Sequence, residues 1–303
     1  AHWEILQQLD NCILGDYKFL YISPERISSD LFQEKLKTLS RKVNLLVVDE
    51  AHCISQWGND FRRDYRLIAD IRDKIPFVPV IAVTASATTA VVADICEQLH
   101  FRNGYQIFKT SFERKNLSFV VRKTDNKLNE LCHILSSVPG SAVVYCRTRR
   151  GVEEYASKLR ASGISAEYFH AGLSPILKTE RQTNWLTGQT RVLVATNAFG
   201  MGIDKGDVRL VIHTEFPDSI EAYYQEAGRA GRDGKEAECI LLLSYQDRYI
   251  QEFLIQMSNP PLLTIQETWR ALKSLAKKQG TTSIEISNTE LATFEKGYTL
   301  PSL

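Results

Sequence analysis

The chain has 303 residues, 44% hydrophobic and 24% charged, with a formal net charge of +1. That balance fits a soluble globular protein and excludes collagen-like, disordered and strongly basic chains, so any nucleic-acid surface must be local. No run of about 20 apolar residues offers a membrane span, no secretory signal opens the chain, and the six cysteines form no C-x-x-C pair, which argues against zinc ribbons and disulfide scaffolds and for a reducing, cytoplasmic setting.

In chain order, apolar runs predict strands at Tyr17–Ile22, Val43–Val48, Val80–Val83, Ala142–Tyr145, Arg191–Ala195, Val208–His213 and Cys239–Leu243. Continuous Val, Ile and Leu mark strands covered on both faces, hence a parallel sheet. Amphipathic stretches between them predict helices near Leu31–Ser40, Tyr65–Lys74, Thr89–Leu99, Lys127–Ser136, Gly151–Ala161, Ile176–Leu186 and Ser219–Ala230. The alternation predicts an α/β, doubly wound architecture. Ser111–Lys123 turns polar and then extended, and reads as the joint between two α/β domains. Beyond Tyr245 the pattern is helical, with a capping box at Thr264–Glu267 and another at Ser287–Glu290. The expected domains are therefore 1–117, 118–248 and the start of a small helical domain, 249–303, for which a winged helix is one form.

Open parallel sheets bind ligands beyond the carboxyl ends of their strands. The Val43–Val48 strand ends in Asp49-Glu50-Ala51-His52. An Asp there can hold Mg²⁺, and a neighbouring Glu can orient the water that attacks a γ-phosphate. The plainer reading is a pair of solvated carboxylates. The Val80–Val83 strand ends in Thr84-Ala-Ser86-Ala-Thr88, whose hydroxyls can relay a change or simply cap the next helix. Cys146-Arg147-Thr148-Arg149 places guanidinium and hydroxyl groups within reach of a phosphate backbone, or is a polar turn. Thr196-Asn197 leads into Phe199-Gly-Met-Gly-Ile-Asp204, where Gly200 and Gly202 permit close backbone approach to a ligand. Gln225, Arg229 and Arg232 share one face if the helix reaches them, and such an arginine can act as an arginine finger.

Taken together these segments resemble the RecQ family of superfamily 2 helicases. The resemblance is carried by Tyr21-Ile-Ser-Pro-Glu-Arg26, Asp49-Glu-Ala-His-Cys-Ile-Ser-Gln-Trp-Gly58, Ile81-Ala-Val-Thr-Ala-Ser-Ala-Thr88, Val143-Val-Tyr-Cys-Arg-Thr-Arg149, His170-Ala-Gly-Leu173, the run Val192–Lys205 and Tyr223-Tyr-Gln-Glu-Ala-Gly-Arg-Ala-Gly-Arg-Asp-Gly234. It covers about Tyr17 to Tyr245 and implies two RecA-like (P-loop NTPase type) lobes, the first incomplete, that use ATP and Mg²⁺. It further implies 3′-to-5′ unwinding of DNA in repair and recombination. By the same resemblance Asp49 and Glu50 serve Mg²⁺ and the hydrolytic water, while His52, Gln225, Gly202 and Asp204 serve the nucleotide, with Arg229 and Arg232 as catalytic arginines. Trp57, Phe61, Arg62, Arg147, Thr148 and Thr196 would meet single-stranded or duplex DNA, the aromatics by stacking on bases.

The chain departs from the family pattern in three ways. It contains no G-x-x-x-x-G-K-[ST] phosphate loop, and it starts at Ala1, so it reads as an N-terminally truncated member that is inactive alone. Asn59 stands where the family has His and Arg63 where it often has Pro, which bears on coupling of DNA to ATP. The zinc-binding cysteine cluster is missing, so no zinc site is expected, no membrane is expected, and protein partners stay open. The rival readings are a DEAH- or DEAD-box RNA helicase and a non-catalytic nucleic-acid-binding helicase remnant. A bacterial cytoplasm or nucleoid would suit the RecQ resemblance.

Overall fold

The structure, a computed structural model, describes residues 2–55, 62–85, 87–111, 113–200, 203–281, 283–284 and 286–287. It divides into two compact units: residues 1–113 with 219–225, and residues 114–218 with 226–303.

The first unit contains α1 (His2–Leu14), α2 (Asp30–Leu39), β1 (Leu46–Val48), α3 (Leu67–Lys74), β2 (Val80–Ala82) and α4 (Thr89–Gln98). β1 and β2 pair in parallel, Leu46 opposite Val80 and Val48 opposite Ala82. Helix starts follow local chemistry: Ser29 accepts the Phe32 N–H at α2, and Thr88 accepts the Val91 N–H at α4. Val48 is buried in a cluster with Phe32 and Leu36 of α2, Ile68 and Ile71 of α3, and Val91 and Ile95 of α4. The opposite face differs from the two-sided burial that the sequence predicts, since Val47, Ile81 and Val83 are each about half exposed. The strand expected at Tyr17–Ile22 does not form. A strand exists only with a partner for its N–H and C=O groups; here Tyr17, Phe19 and Tyr21 are exposed, with Phe19 stacked on Tyr21.

The second unit contains β3 (Leu117–Lys123), α5 (Lys127–Ser137), β4 (Ser141–Tyr145), α6 (Arg149–Ala161), β5 (Ala166–Phe169), α7 (Pro175–Leu186), β6 (Val192–Ala195), β7 (Val208–His213), β8 (Ala237–Leu243), α9 (Tyr245–Ser258) and α10 (Leu262–Gln279), while α8 (Ile220–Ala227) is divided, residues 220–225 counting with the first unit. Its six strands lie in the order β3-β8-β7-β4-β6-β5, and every pairing is parallel. The central strands are sealed: Val143, Val144, Leu193, Val194, Val211 and Ile212 are fully buried. From β4 the chain runs outward to β5 and returns through β6, and then crosses to β7 and β8. The switch point therefore falls between β4 and β7, where a doubly wound sheet opens a crevice.

Two strands of this unit lie outside the expected set. β5 is a four-residue edge strand containing the polar Glu167, and β3, the other edge, alternates its exposure and so lacks a continuous apolar run. The box expected at Thr264–Glu267 is not a helix start, because α10 begins two residues earlier, directly after Pro261. Pro fixes its own φ and suits a helix entrance, so the proline pair sets the boundary and Thr264 falls inside the first turn. The box expected at Ser287–Glu290 lies largely outside the described residues.

One buried ion pair joins three elements. Lys127 Nζ at the start of α5 lies 2.6 and 2.7 Å from the two carboxylate oxygens of Asp247 in α9 and donates to Thr214 O beyond β7 (2.5 Å). Asp247 also accepts the Ser244 N–H at 2.6 Å. Removing one partner of a buried pair strands the other, so Asp247→Ala should lower unfolding free energy by about 3 kcal/mol, while Lys127→Met with Asp247→Leu should recover most of it. Urea denaturation of the three proteins measures both; equal stability of the single variant and the parent would refute the assignment.

Candidate functional site

In the first unit, β1 delivers its terminal residues to the tip of the sheet. Asp49 is exposed, and its Oδ1 accepts the Glu50 N–H at 2.9 Å. Glu50 sits at φ 47° and ψ 43°, a left-handed conformation that costs a non-glycine residue of order 1 kcal/mol or more. The Ala51 N–H donates to Val83 O (3.0 Å), which sews this turn to the end of β2. His52 is buried, its Nδ1 2.9 Å from the Thr84 hydroxyl and 3.4 Å from Glu50 Oε2. The tips of the two strands are thus joined through one imidazole. Arg62 is exposed, its N–H donating to Cys53 O. Trp57, Asn59 and Phe61 lie outside the described residues, as do Ser86 and Gly202. No group of three or more His, Cys, Asp or Glu residues suited to a metal ion occurs among the described residues.

In the second unit, the strand ends that flank the switch point carry aromatic and charged groups. Tyr145 at the end of β4 stacks on His213 at the end of β7, centroids 5.2 Å apart, and donates its hydroxyl to Phe199 O at 3.0 Å. Burial raises the Tyr145 phenol, opposed by the nearby Arg229. His213 Nε2 lies 2.8 Å from Glu226 Oε2. Arg147 donates to Phe216 O (2.9 Å) and to Gln251 of α9 (3.0 Å), so its guanidinium is engaged within the unit. Thr148 caps α6 by accepting the Gly151 N–H. Thr196 is buried, and its hydroxyl accepts the Ala198 N–H within the turn after β6.

The two arginines do not share a helix face with Gln225, contrary to the expectation from their spacing. α8 ends at Ala227, and residues 228–233 form turns. Glycine weakens a helix by about 1 kcal/mol relative to Ala, and Gly231 takes φ 55°. Gln225 remains on α8, half-buried. Arg229 donates its Nη1 to Gly200 O, and a Cβ on Gly200 would lie 2.6 Å from the guanidinium, so glycine there makes room for it. Arg232 donates to Ile203 O (3.1 Å) and Asp204 Oδ1 (3.0 Å), in an exposed pair. Sequence reasoning missed Tyr145, His213 and Glu226 as a group. The one available signal was polar residues closing apolar strands, at His213 above all.

Two family descriptions match the chain: "DEAD/DEAH box helicase" over residues 3–95 and "Helicase conserved C-terminal domain" over residues 126–234. The chain is 43% identical over 262 residues to the ATP-dependent DNA helicase RecQ of Bacillus subtilis, covering 85% of this chain and 44% of that one. It is 43% identical over 250 residues to the RecQ-like DNA helicase blm-1 of Caenorhabditis elegans, covering 80% of this chain and 25% of that one. It thus spans less than half the length of these relatives. In fold it is similar to the DUF1998 helicase MrfA bound to DNA and AMPPNP, with TM-score 0.65 and 19% identity over 81% of this chain and 37% of that one.

Burial pushes the thiols of Cys146, which follows β4, and Cys239 up to about 12 from an ordinary 9.0. An acid whose folded pKa is raised contributes stability below its unfolded value and loses it as pH rises toward the folded one. The denaturation midpoint should therefore fall as pH climbs above about 9, and Cys146→Ser with Cys239→Ser should flatten that slope. A midpoint that rises over that range would contradict the assignment.

Proposed function

Because this chain is a RecQ-type member of helicase superfamily 2, we propose that the protein carrying it is an ATP-dependent helicase that unwinds DNA 3′ to 5′ in repair and recombination. The observation that carries this reading is the Glu50–His52–Thr84 arrangement. A carboxylate is fixed at a strand tip by a left-handed backbone and placed beside an imidazole that reports to the neighbouring strand.

In this reading Glu50 orients and deprotonates the attacking water, which needs a carboxylate in a set position. Asp49 fits Mg²⁺ as a single hard-oxygen ligand, since that ion completes its shell with water and phosphate oxygens rather than a closed protein cage. The metal would neutralise charge on the transferring phosphoryl group. Arg232 exchanges Asp204 for a phosphate oxygen. An exposed pair is worth about 1 kcal/mol or less, so the exchange is inexpensive. Arg229, held at Gly200, supports the same charge from within the turn. Thr84 passes movement at Glu50 and His52 to the loop after β2. Arg62 and Trp57 then meet the nucleic acid, by charge and by stacking.

The 303 residues contain no G-x-x-x-x-G-K-[ST] sequence, so the backbone cradle for the β- and γ-phosphates is not among them. The same gap is what favours the second reading, a nucleic-acid-binding remnant without catalysis. Three outcomes test these readings, and the second of them separates the two. The chain by itself should hydrolyse ATP at background, and turnover in the range of about 1–100 per second would contradict that. In the full-length protein, Arg232→Ala should abolish DNA-stimulated ATP turnover and strand displacement while leaving DNA affinity intact; retained turnover removes the arginine's role. DNA affinity should fall linearly on a log–log plot against salt, by about 0.7 per phosphate contact on single strands, and a flat plot would refute phosphate-dominated binding.

A further inference from the structure

The turn that carries Arg229 and Arg232 is not self-supporting. It reverses at Gly231, whose φ of 55° is left-handed, and it leaves the carbonyls of Ala230, Gly231 and Lys235 without helix partners. The Gly234 N–H reaches Gly231 O from within the turn (3.0 Å), and the remaining donors come from the segment just before β3. Arg114 Nη2 donates to Ala230 O (3.2 Å) and Gly231 O (2.8 Å). Asn116 Nδ2 donates to Gly231 O and Lys235 O, both at 2.8 Å. Arg114 Nε donates to Asn116 Oδ1 at 3.4 Å, which settles which way the amide faces. The backbone closes the frame, with the Gly231 N–H donating to Val208 O (2.9 Å) and the Ala237 N–H to Asn116 O (3.0 Å). The frame has no slack: a Cβ on Gly231 would lie 2.5 Å from Asn116 Nδ2 and 2.7 Å from Lys235 O.

Three carbonyls gathered in one turn repel one another unless donors stand among them. Two side chains supply four of those hydrogen bonds. Each is half-buried, and an amide with both protons engaged has no spare geometry.

We propose that Arg114 and Asn116 are positioning residues for the arginine turn: they set the conformation from which Arg232 can move from Asp204 to a phosphate. This rests on the function proposed above, since turnover depends on the turn only if its arginines face the nucleotide. Neither residue touches the ligand, and both act through the carbonyls of residues 230, 231 and 235.

The test uses the full-length protein and four variants. Asn116→Asp keeps the shape but turns an acceptor toward two carbonyls. Arg114→Ala removes the guanidinium, and Arg114→Lys restores one donor. Arg191→Ala is the control. The side-chain hydrogen bonds of Arg191 go to the carbonyls of Leu135, Val138 and Gly140, at the end of α5 and in the loop to β4, so its loss destabilises the unit without removing a donor from the turn. For Asn116→Asp and Arg114→Ala, kcat for DNA-stimulated ATP hydrolysis should fall by roughly 100-fold, the scale of a catalytic group misplaced by about 1 Å, with KM for ATP and DNA affinity unchanged. Arg114→Lys should recover part of the loss, and Arg191→Ala should keep the parent kcat below its melting range. Hydrogen exchange at the amides of Gly231, Asp233, Gly234 and Ala237 should quicken in Asn116→Asp and not in Arg191→Ala. Unchanged exchange at those amides overturns the proposal whether or not the parent hydrolyses ATP. So does a kcat that falls equally in Arg191→Ala. An inactive parent, or an active Arg232→Ala, counts instead against the function, and the exchange measurement still decides the clamp.

Discussion

Parallel pairing is the constraint from which the rest of each unit follows. Strands that run the same way need a crossover after every one, so all their carboxyl ends gather on a single edge of the sheet. In the second unit six strands obey this rule, and Cys146, Thr196 and Thr214, far apart in sequence, follow strand ends on that edge. In the first unit two strands suffice to bring the turn at Glu50 beside Thr84. Burial of Val143, Val194 and Ile212 holds the strands rigid, and rigid strands are what let a loop residue keep a set position.

Arginine is used in two distinct ways on this scaffold. Arg72, Arg114, Arg147 and Arg191 all spend their forked donors on backbone carbonyls, closing turns that no helix or strand ladder would satisfy. Arg232 differs, because beside the Ile203 carbonyl it holds the exposed carboxylate of Asp204, and that pair is weak. An arginine locked on carbonyls is architecture, whereas one in an exposed ion pair can change partner.

Much of this was legible in the residues. The strands at Val80 and Ala142 are continuous apolar runs, and Asp49-Glu50 follows such a run directly, so their place at a strand tip is a matter of pattern. Thr88 as a helix cap is equally local. What escaped was set by neighbours distant in sequence. Tyr17–Ile22 has the composition of a strand and pairs with no strand among the described residues. β5 has a partner and too short and polar a sequence to announce it. The regular spacing of Gln225, Arg229 and Arg232 suggests a helix face, yet Arg114 and Asn116 stabilise a turn there, and no window around the arginines contains them.

The sequence by itself determined the fold class and the place of Asp49 and Glu50 at a strand tip, because apolar periodicity and strand-end polarity are short-range properties of the chain. The tertiary structure alone decided which donors meet which carbonyls. Tyr145 stacks on His213, His213 pairs with Glu226, and Asn116 secures Gly231 across more than a hundred residues. Those contacts depend on strand order, and strand order is fixed by how the whole sheet buries its apolar faces rather than by any local run of residues.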